Sequence, residues 1–600
     1  MVRMPAARVV RRVLYVLACF LPVWAVVAYF TGGVGWMLGP VRISSRQPFR
    51  PLVIGLAIGA WYVWKYERAE REEDGRWLHR WSARALPFTV PLLALLALYV
   101  GVQYGSFAAA GSDSYGYVSQ ARLWLSGLPR VEQPWVQDFS WPNREWVFTP
   151  LGYRPFLPDG TIVPTYPPGL PLIMALFLGV MGEDGPFYVA PVFGALTVGL
   201  TYLLGLHTTG SRTVGTLAAL LMLASAPFLT HLMVPMSDVP AAAGWTLAAV
   251  FILKQRALAA GIVTGLTLLV RPNLILLALV PVFAWRRKQE PLIQYAMGAV
   301  PGVLAGMIIN TLLYGGPLTT GYGSLFESYT FGTLPMNVRN YLVWLVQTQT
   351  ALILLAVVPL FVRGALREGT PVVSPRACLA AILGLTFLSY VFYATFDHWF
   401  YLRFLLPAYP ALFVLFVAAI RWLSASARTI HASSGETRRS LGGGGTWKLP
   451  VEARVPVAAL VCAVMVPFGV HGGRHEGIFN VAAYEGRHIR AAHEIAARTP
   501  ADAIVLSVQH SGSVRYYANR ITLRYDWLND AALDAALQDV AAKGRRAYLV
   551  VDDWEEKEFR ARFSPTNRAG RLDWAPIARV PGGTEVRIFD MHDISPARAQ

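Results

Sequence analysis

The stretch LAAGIVTGLTLLVRPNLILLALVPVFAW, residues 258–285, decides the class of fold. Arg271 is its one charged residue and stands beside Pro272 near the middle. Basic residues lie outside both ends, namely Lys254, Arg256, Arg286, Arg287 and Lys288. Because basic residues mark the cytoplasmic ends of membrane segments, the pattern predicts a hairpin of two short membrane helices with Arg271 at its tip.

The composition of the whole chain excludes a single water-soluble fold. Its 600 residues have a mean hydropathy of +0.41 and 15% are charged, whereas soluble domains have about 25%. The net charge is +17, but from residue 472 onward 18 Lys and Arg face 17 Asp and Glu. The excess charge therefore indicates membrane topology rather than a nucleic-acid surface. The three cysteines, Cys19, Cys378 and Cys462, lie in apolar runs and predict neither disulfides nor a zinc site.

Apolar runs along the chain predict a polytopic α-helical membrane protein with about 13 transmembrane segments. The first run, Val13 to Phe30, follows several arginines and lacks a cleavage site. It is expected to be retained, with the N-terminus in the cytoplasm. Alternating the segments from there leaves 25 Lys and Arg in cytoplasmic loops and 9 in outer loops, as the positive-inside rule requires.

This topology divides the chain into four regions. After the last transmembrane segment, stretches with the apolar spacing of helices alternate with short apolar runs typical of strands. This pattern predicts a small α/β domain outside the cytoplasm. A Gly/Ser-rich linker from Arg421 to Arg454, which contains Leu441-Gly-Gly-Gly-Gly, is expected to be flexible. The predicted regions are two N-terminal helices with a cytoplasmic loop (1–84), a membrane core with a long first outer loop (85–421, loop 105–168), a cytoplasmic linker with the last helix (422–471), and the extracytoplasmic α/β domain (472–600).

The first outer loop carries an acid, Asp113, in the sequence Gly-Ser-Asp-Ser-Tyr. Ser112 or Asp113 can cap a helix that stops at Gly127, and this structural role explains much of the pattern. Alternatively, the carboxylate lies just outside the bilayer and acts as a general base on a hydroxyl. In the functional interpretation, Tyr115 and Arg122 of the same helix contact the substrate or its phosphate.

Asp238 and Arg271 are two further charged candidates. Asp238 begins an apolar helix, where an acid either caps the helix, favoured by its dipole, or belongs to a site. A charge such as Arg271 between apolar helices is costly and is usually paired or turned to a watery cavity, which favours a functional role. Its guanidinium is also well shaped to hold a phosphate.

Two other outer segments add candidates. Tyr166 opens the sequence Tyr-Pro-Pro-Gly-Leu-Pro. The apolar stretch that follows is too short to span a bilayer and predicts an interfacial or re-entrant helix. Residues 397–403, Asp-His-Trp-Phe-Tyr-Leu-Arg, open another helix. His398 and Arg403 supply positive donors on the same face as Asp113, whereas the aromatic residues fit an interfacial belt.

At these residues the chain resembles the GT-C superfamily of membrane glycosyltransferases, in particular the protein O-mannosyltransferase and lipid A aminoarabinose transferase branch. The resemblance covers residues 85 to about 421 and rests on the order of several short motifs. They are Ser112-Asp113-Ser114-Tyr115, Tyr166-Pro-Pro-Gly-Leu-Pro171, Met236-Ser-Asp-Val-Pro240, Leu269-Val-Arg-Pro272, Tyr314-Gly-Gly-Pro-Leu318 with Gly321-Tyr-Gly323, and Leu402-Arg-Phe-Leu-Leu-Pro407.

The resemblance implies an inverting transfer of a sugar from a polyprenyl phosphate, with Asp113 as the base and Asp238 as the second acid of the cavity. Arg271 and Arg403 are the candidates for the lipid phosphate. Tyr166 departs from the aminoarabinose transferases, which have lysine at this position, so the sugar or the phosphate contact is expected to differ. No cofactor is expected to be required and no metal ligand is predicted, although a divalent metal ion is compatible with the sequence.

The sequence therefore predicts a mannosyltransferase-like, polyprenyl-phosphate-sugar-dependent glycosyltransferase at the outer face of the plasma membrane. The expected partners are the lipid-linked donor, an acceptor hydroxyl on a cell-envelope glycan, lipid or protein, and membrane lipids, with no nucleic acid. The alternatives are a transporter or flippase of lipid-linked saccharides, and a membrane scaffold whose tail binds a partner. Transporters usually place ionisable residues near the midplane of repeated halves, and this sequence has no such repeat.

Overall fold

The computed structural model describes residues 6–592 except 32, 34, 39–40, 45–46, 158, 287, 324–328, 396 and 440–453. Of the linker that is predicted to be flexible from Arg421 to Arg454, residues 440–453 lie outside the described residues. Residues 421–439 belong to the helix Tyr409–Arg439, so the expectation of a flexible linker is wrong for them. Long apolar helices make the chain a multi-pass membrane protein. The helices are α1 Ala6–Thr31, α2 Phe49–Lys65, α3 Arg68–Gln103, α4 Asp113–Leu125, α5 Arg144–Val147, α6 Gly169–Met181, α7 Val189–Thr209, α8 Arg212–Ala224, α9 Ala226–Leu232, α10 Asp238–Leu253, α11 Ala257–Val270, α12 Val280–Ala284, α13 Gln289–Tyr314, α14 Leu334–Gln349, α15 Pro375–Val391, α16 Tyr409–Arg439, α17 Arg454–His475, α18 Val481–Arg498, α19 Ser511–Ser513, α20 Leu533–Ala542 and α21 Asp553–Phe563.

Tighter helical turns connect many of these helices. One of them follows Arg271 directly, so Arg271 stands at the break between α11 and the next turn. Pro272 accounts for the break, because proline has no backbone N–H to donate to the preceding turn of an α-helix and its ring clashes with that turn. The 3-10 turns are Pro134–Asp138, Gly185–Tyr188, Pro272–Leu279, Phe331–Thr333, Ala351–Leu360, Trp399–Ala408, Ile478–Asn480, Tyr525–Trp527 and Ala569–Arg571, and Val514–Ala518 is π-helical.

Five of the described helices are long and apolar enough to cross a membrane. Two bent pairs, α8 with α9 at 66° and Phe331–Gln349 with Ala351–Leu360 at 109°, raise the number to seven if each pair is one span. Other apolar helices, among them α6, α10 and α11, have 10 to 17 residues. Length and composition therefore support fewer complete spans than the expected number of about 13, which stays a prediction.

Helices α11 and α13 approach closely because glycines line both contact faces. A β-carbon on Gly298 would lie 2.4 Å from the carbonyl oxygen of Leu258, and one on Gly261 would lie 2.0 Å from that of Tyr295. Gly261 and Gly265 are four residues apart, as are Gly298 and Gly302. This small-residue spacing lets membrane helices pack backbone to backbone. The contact fixes α11, and with it Arg271, against the membrane core.

We therefore expect Gly298→Ile to destabilise the protein by about 1–3 kcal/mol, because the added side chain has no space between the two backbones. Gly384→Ile is the matched control, since no described atom would lie within 4 Å of a β-carbon there. Thermal unfolding of both variants in detergent checks the expectation. Equal unfolding temperatures for Gly298→Ile, Gly384→Ile and the wild type would contradict it.

The C-terminal part folds around a five-stranded mixed sheet in the order β6-β5-β7-β9-β8. Strands β5, β6 and β7 are parallel, whereas β9 pairs antiparallel with both β7 and β8. Parallel neighbours need crossover connections. The connection from β5 to β6 contains α19 and the π-helical turn Val514–Ala518, and the one from β6 to β7 contains α20. The strands of the chain are β1 Gly35–Leu38, β2 Val41–Ser44, β3 Tyr153–Phe156, β4 Thr161–Pro164, β5 Ile504–Leu506, β6 Ile521–Leu523, β7 Ala547–Asp552, β8 Ala578–Val580 and β9 Val586–Asp590.

The first long loop, residues 105–168, packs against this sheet domain. Its buried residues Val136, Phe139, Val147 and Phe148 share one apolar core with the strands and helices of the tail. The backbone nitrogen of Arg524 also donates to the carbonyl of Val147 at 2.7 Å. The loop and the tail therefore form one structural unit, although 356 residues separate Phe148 from β5.

Candidate active site

The carboxylate of Asp113 lies where α4, the loop before α6 and the turn Trp399–Ala408 meet. Its Oδ1 accepts a hydrogen bond from the Tyr166 hydroxyl at 2.5 Å, and its Oδ2 accepts one from Nη1 of Arg403 at 3.2 Å. The Asp113 side chain is 33% exposed, so it stays open to another molecule. A β-carbon on Gly116 would lie 2.3 Å from the Tyr166 ring, so only glycine leaves room for this tyrosine beside α4.

The helix-cap interpretation of Asp113 is wrong. Helix α4 begins at Asp113, and Ser112 is its cap residue but makes no side-chain capping hydrogen bond. The Ser112 hydroxyl instead contacts the Tyr166 hydroxyl at 2.7 Å. Both carboxylate oxygens of Asp113 are thus directed to Tyr166 and Arg403 rather than to the free backbone donors of the helix.

Tyr166 is an uncharged residue, and its hydroxyl donates a hydrogen bond to the Asp113 carboxylate. Burial raises the pKa of the Tyr166 hydroxyl, and the adjacent carboxylate raises it further, so the hydroxyl keeps its proton. Its ring packs against Tyr117 with centroids 4.6 Å apart and meets Tyr322 edge-on at 5.9 Å. Tyr166 therefore supplies a hydroxyl, without positive charge, to the candidate base.

A second ion pair, Asp238 with Arg271, lies deeper in the same region. Nη1 of Arg271 donates to Oδ1 of Asp238, and the two residues are 8% and 1% exposed. The cap residue of α10 is Ser237, which makes no side-chain capping hydrogen bond. Asp238 lies in the first turn, where the helix dipole favours an acid, and its Oδ1 is bound to Arg271. Ser237 instead accepts a hydrogen bond from the Tyr117 hydroxyl at 3.0 Å, which ties α10 to α4.

Phe404 lies between the two ion pairs. The guanidinium carbon of Arg271 is 5.3 Å from its ring centroid, and that of Arg403 is 5.1 Å from it. The ring also stacks on Tyr390 with centroids 4.7 Å apart. Two acids and two arginines thus form a neutral group around one aromatic ring, and of the two acids Asp113 is the accessible one.

His231 belongs to the surroundings of this group, and sequence reasoning missed it. It is fully buried in α9, with Nδ1 2.7 Å from the carbonyl of Pro227, and its Nε2 has no hydrogen-bond partner among the described residues. Its ring lies 4.5 Å from that of Phe400, which in turn lies 5.3 Å from the Arg403 guanidinium. A single histidine inside an apolar run gives no sequence signal for such a position.

Three of the predicted site residues lie elsewhere. Tyr115 packs against Tyr153 and Tyr516, and Arg122 pairs with Glu183 while covering the Tyr516 ring at 4.1 Å. His398 is exposed, and its Nδ1 accepts from the Phe400 backbone nitrogen to cap the turn Trp399–Ala408. The structure brings Asp113, Asp238, Tyr166, Arg271 and Arg403 together, and it separates Tyr115, Arg122 and His398 from them.

A metal-like cluster of described residues lies in the tail rather than in this group. His510, Asp552 and Glu555 offer ligand atoms within 4.8 Å of one another, and all are buried. Both oxygens of Asp552 accept hydrogen bonds from Arg487 at 3.0 Å. Burial raises the pKa of the Asp552 carboxyl, but the hydrogen bonds from His510 and Arg487 outweigh it and hold the pKa well below its ordinary range. A guanidinium already neutralises this acid.

The fold is similar to those of solved GT-C glycosyltransferases. The apo structure of ArnT from Cupriavidus metallidurans aligns with a TM-score of 0.50 and 12% identity over 83% of this chain and 97% of that chain. The same enzyme bound to undecaprenyl phosphate aligns with a TM-score of 0.49 and 12% identity over the same shares. AglB, the oligosaccharyltransferase of Archaeoglobus fulgidus in complex with an inhibitory peptide and a dolichol-phosphate, aligns at 0.47 and 12% identity over 83% and 74%.

No protein-family model and no curated protein matches the sequence. The likeness to apo ArnT nevertheless covers nearly the whole of that enzyme, and it shows that this chain has the GT-C fold. The predicted resemblance to the GT-C superfamily is thereby confirmed at the level of the fold.

Proposed function

From the GT-C fold of this chain, we propose that the protein is an inverting glycosyltransferase that uses a polyprenyl-phosphate-linked sugar. It transfers the sugar to an acceptor hydroxyl of a cell-envelope glycan, lipid or protein at the outer face of the plasma membrane. ArnT, which has the same fold, was solved with undecaprenyl phosphate bound. Within this chain, the residues that support the proposed transfer are Asp113 and its neighbours Tyr166 and Arg403.

The observation that carries the proposal is the Asp113 carboxylate, which caps no helix and stays one-third exposed between Tyr166 and Arg403. As the acceptor oxygen attacks the anomeric carbon, its proton passes to Asp113. The bond from the anomeric carbon to the phosphate oxygen breaks, and its electron pair leaves with the phosphate. A hydroxyl becomes a strong nucleophile when a positioned base takes its proton, so this step needs an acid residue in the ionised form.

The leaving phosphate needs positive donors more than it needs a proton. Arg403 is the better placed donor, because it is 14% exposed and its Nε, although buried, has no hydrogen-bond partner among the described residues. Arg271 lies on the buried side of the same Phe404 ring, where Asp238 already pairs with it. A guanidinium can bind a phosphate through two parallel hydrogen bonds. The proposal therefore requires no metal ion for charge neutralisation.

Tyr166 distinguishes this group from that of the aminoarabinose transferases. A lysine there would add positive charge next to the base, whereas the Tyr166 hydroxyl donates a hydrogen bond and adds none. The phosphate contact consequently depends more heavily on the two arginines. We propose that the donor sugar or its placement differs accordingly from that of the aminoarabinose transferases.

Transfer from the lipid tests the proposal. Purified protein is incubated with polyprenyl-phosphate sugars labelled in the sugar and with delipidated envelope material as the acceptor. The expected result is that label moves to the acceptor fraction and that an equal amount of polyprenyl phosphate appears. Retention of all label on the lipid, for every sugar supplied, would overturn the proposed activity.

The location of the tail is a separate prediction. The distribution of Lys and Arg among the loops places the tail outside the cytoplasm, where Asp113 and Arg403 would meet an extracytoplasmic acceptor. A reporter that is active only in the cytoplasm should be silent when it is fused after Gln600. Strong reporter activity would contradict the topology and move the reaction to the cytoplasmic face.

A further inference from the structure

A second cavity, of about 610 Å³, lies between α4, the first long loop and the tail. Tyr115, Ser119 and Arg122 line it from α4, as does Ser126, which directly follows the last residue of that helix. These positions follow the helical spacing of four, three and four residues and therefore share one face. Asp113 and Tyr117, four residues apart, share the opposite face. The helix thus separates this cavity from the candidate active site.

The charge around the cavity is positive. Arg122, Arg515 and Arg520 all line it, and Arg122 is paired with the largely exposed Glu183. Arg515 and Arg520 make no ion pair with any described acid. Arg515 bonds neutral groups, among them the Gln133 side chain at 2.7 Å and the hydroxyl of Thr522 at 2.7 Å. Burial lowers the pKa of the Arg515 guanidinium to about 10. A half-buried cation without a counter-charge favours an anionic ligand.

Aromatic rings face the same space from both sides. Tyr115 and Tyr153 pack with centroids 5.7 Å apart, and Tyr516 of the tail meets Tyr115 edge-on at 6.5 Å. Trp135 lines the cavity from the loop, and its buried Nε1 has no hydrogen-bond partner in the described part of the chain. Aromatic rings with a few placed polar groups are typical of pockets that bind small molecules. Rings of this kind can stack on the C–H faces of sugars.

The backbone at the tail side of the cavity is irregular. Arg515 and Tyr516 belong to the π-helical turn Val514–Ala518, and Asn519, which follows it, has a φ of +51°. π-Helical turns are rare and occur frequently at functional sites. This turn brings the Arg515 guanidinium and the Tyr516 ring to one wall, which a regular helix would space differently.

We propose that this cavity binds an anionic saccharide, a sugar chain that carries carboxylate or phosphate groups. The arginines bind its charges and the aromatic residues bind its rings. The inference goes beyond the proposed transfer, because binding here needs no donor lipid and no base. If the transfer is also correct, the bound segment belongs to an acceptor whose reacting hydroxyl lies further along, on the Asp113 side of α4.

Binding to the full-length protein in phosphatidylcholine nanodiscs tests the proposal. Hexagalacturonate is the anionic saccharide, maltohexaose is the neutral one of equal length, and inorganic phosphate is the simple anion. Hexagalacturonate should bind at least tenfold more tightly than either of the others, and its affinity should fall as salt is added. Arg122→Gln and Tyr516→Leu should each weaken binding about tenfold, the effect of one lost charge-assisted contact.

Arg579→Gln is the matched control, because Arg579 is an exposed arginine paired with a glutamate, as Arg122 is, but lies away from the cavity on β8. It should bind hexagalacturonate normally. Equal affinity for maltohexaose or for phosphate would overturn the proposal, as would equal binding by Arg122→Gln and Arg579→Gln. Asp113→Asn should also bind normally, so a failure of sugar transfer and a failure of this cavity give different results.

Discussion

Asp113→Asn is expected to lower kcat for sugar transfer by about 10²- to 10⁴-fold, the usual contribution of a positioned general base. Asparagine keeps an oxygen that can accept from Tyr166 or Arg403, but it cannot take a proton. The folding of α4 should be unaffected, because Asp113 makes no capping hydrogen bond that the substitution could remove. Initial rates with a labelled polyprenyl-phosphate sugar measure the effect.

Asp138→Asn is the control for this variant. Asp138 lies in the same long loop, is 55% exposed, and is 3.8 Å from Arg545 in the tail. It should transfer sugar at the wild-type rate and unfold at the same temperature as Asp113→Asn. Near-normal turnover by a well-folded Asp113→Asn protein would remove the central residue from the proposed mechanism.

Arg271→Ala is expected to destabilise the protein by about 3–5 kcal/mol, because it leaves the buried Asp238 carboxylate without its counter-charge. The double variant Asp238→Asn/Arg271→Met should recover part of this loss, since it removes both charges and keeps apolar volume. Arg271→Lys should also recover part of it, although lysine lacks the planar fork. Denaturant unfolding in detergent measures the free energy of unfolding of the wild type and of the three variants.

The exposed pair Arg579 and Glu585 provides the comparison, because surface ion pairs contribute about 0–1 kcal/mol. If Arg271→Ala is no more harmful than Arg579→Ala, Asp238 is not an obligatory partner of Arg271. The binding of polyprenyl phosphate by folded Arg271→Lys protein then reports on the phosphate role separately. Unchanged affinity there would assign Arg271 to structure alone.

Much of the candidate site could be predicted from the sequence. Asp113, Tyr166 and Arg403 are widely spaced in the chain, but the topology predicted from hydropathy assigns all three to the same side of the membrane, and in the structure they meet. The break at Arg271 was likewise predictable from Pro272. The partner of Arg271 was harder to identify, because either an anionic ligand or a buried acid satisfies the same electrostatic requirement.

The phase of α4 explains why Tyr115 and Arg122 lie away from Asp113. They share a helix with Asp113, yet residues two and nine positions after Asp113 do not lie on its face. Tyr117, four positions on, is the residue that faces the site and bonds Ser237. The periodicity was present in the sequence. The packing of Phe148 into the tail core had no such local signal, because it depends on contacts between distant segments.

The most direct test of glycosyl transfer measures, in one preparation, both the transfer of sugar to an acceptor and the movement of the lipid-linked sugar across the membrane. Sealed proteoliposomes carry the protein and a polyprenyl-phosphate sugar labelled in the sugar, and a soluble acceptor is added outside. If the protein is a glycosyltransferase, label leaves the lipid and becomes linked to the acceptor, with one polyprenyl phosphate formed for each sugar transferred. Label that changes leaflet while it stays attached to the polyprenyl lipid, with no polyprenyl phosphate formed, would contradict glycosyl transfer and identify a flippase.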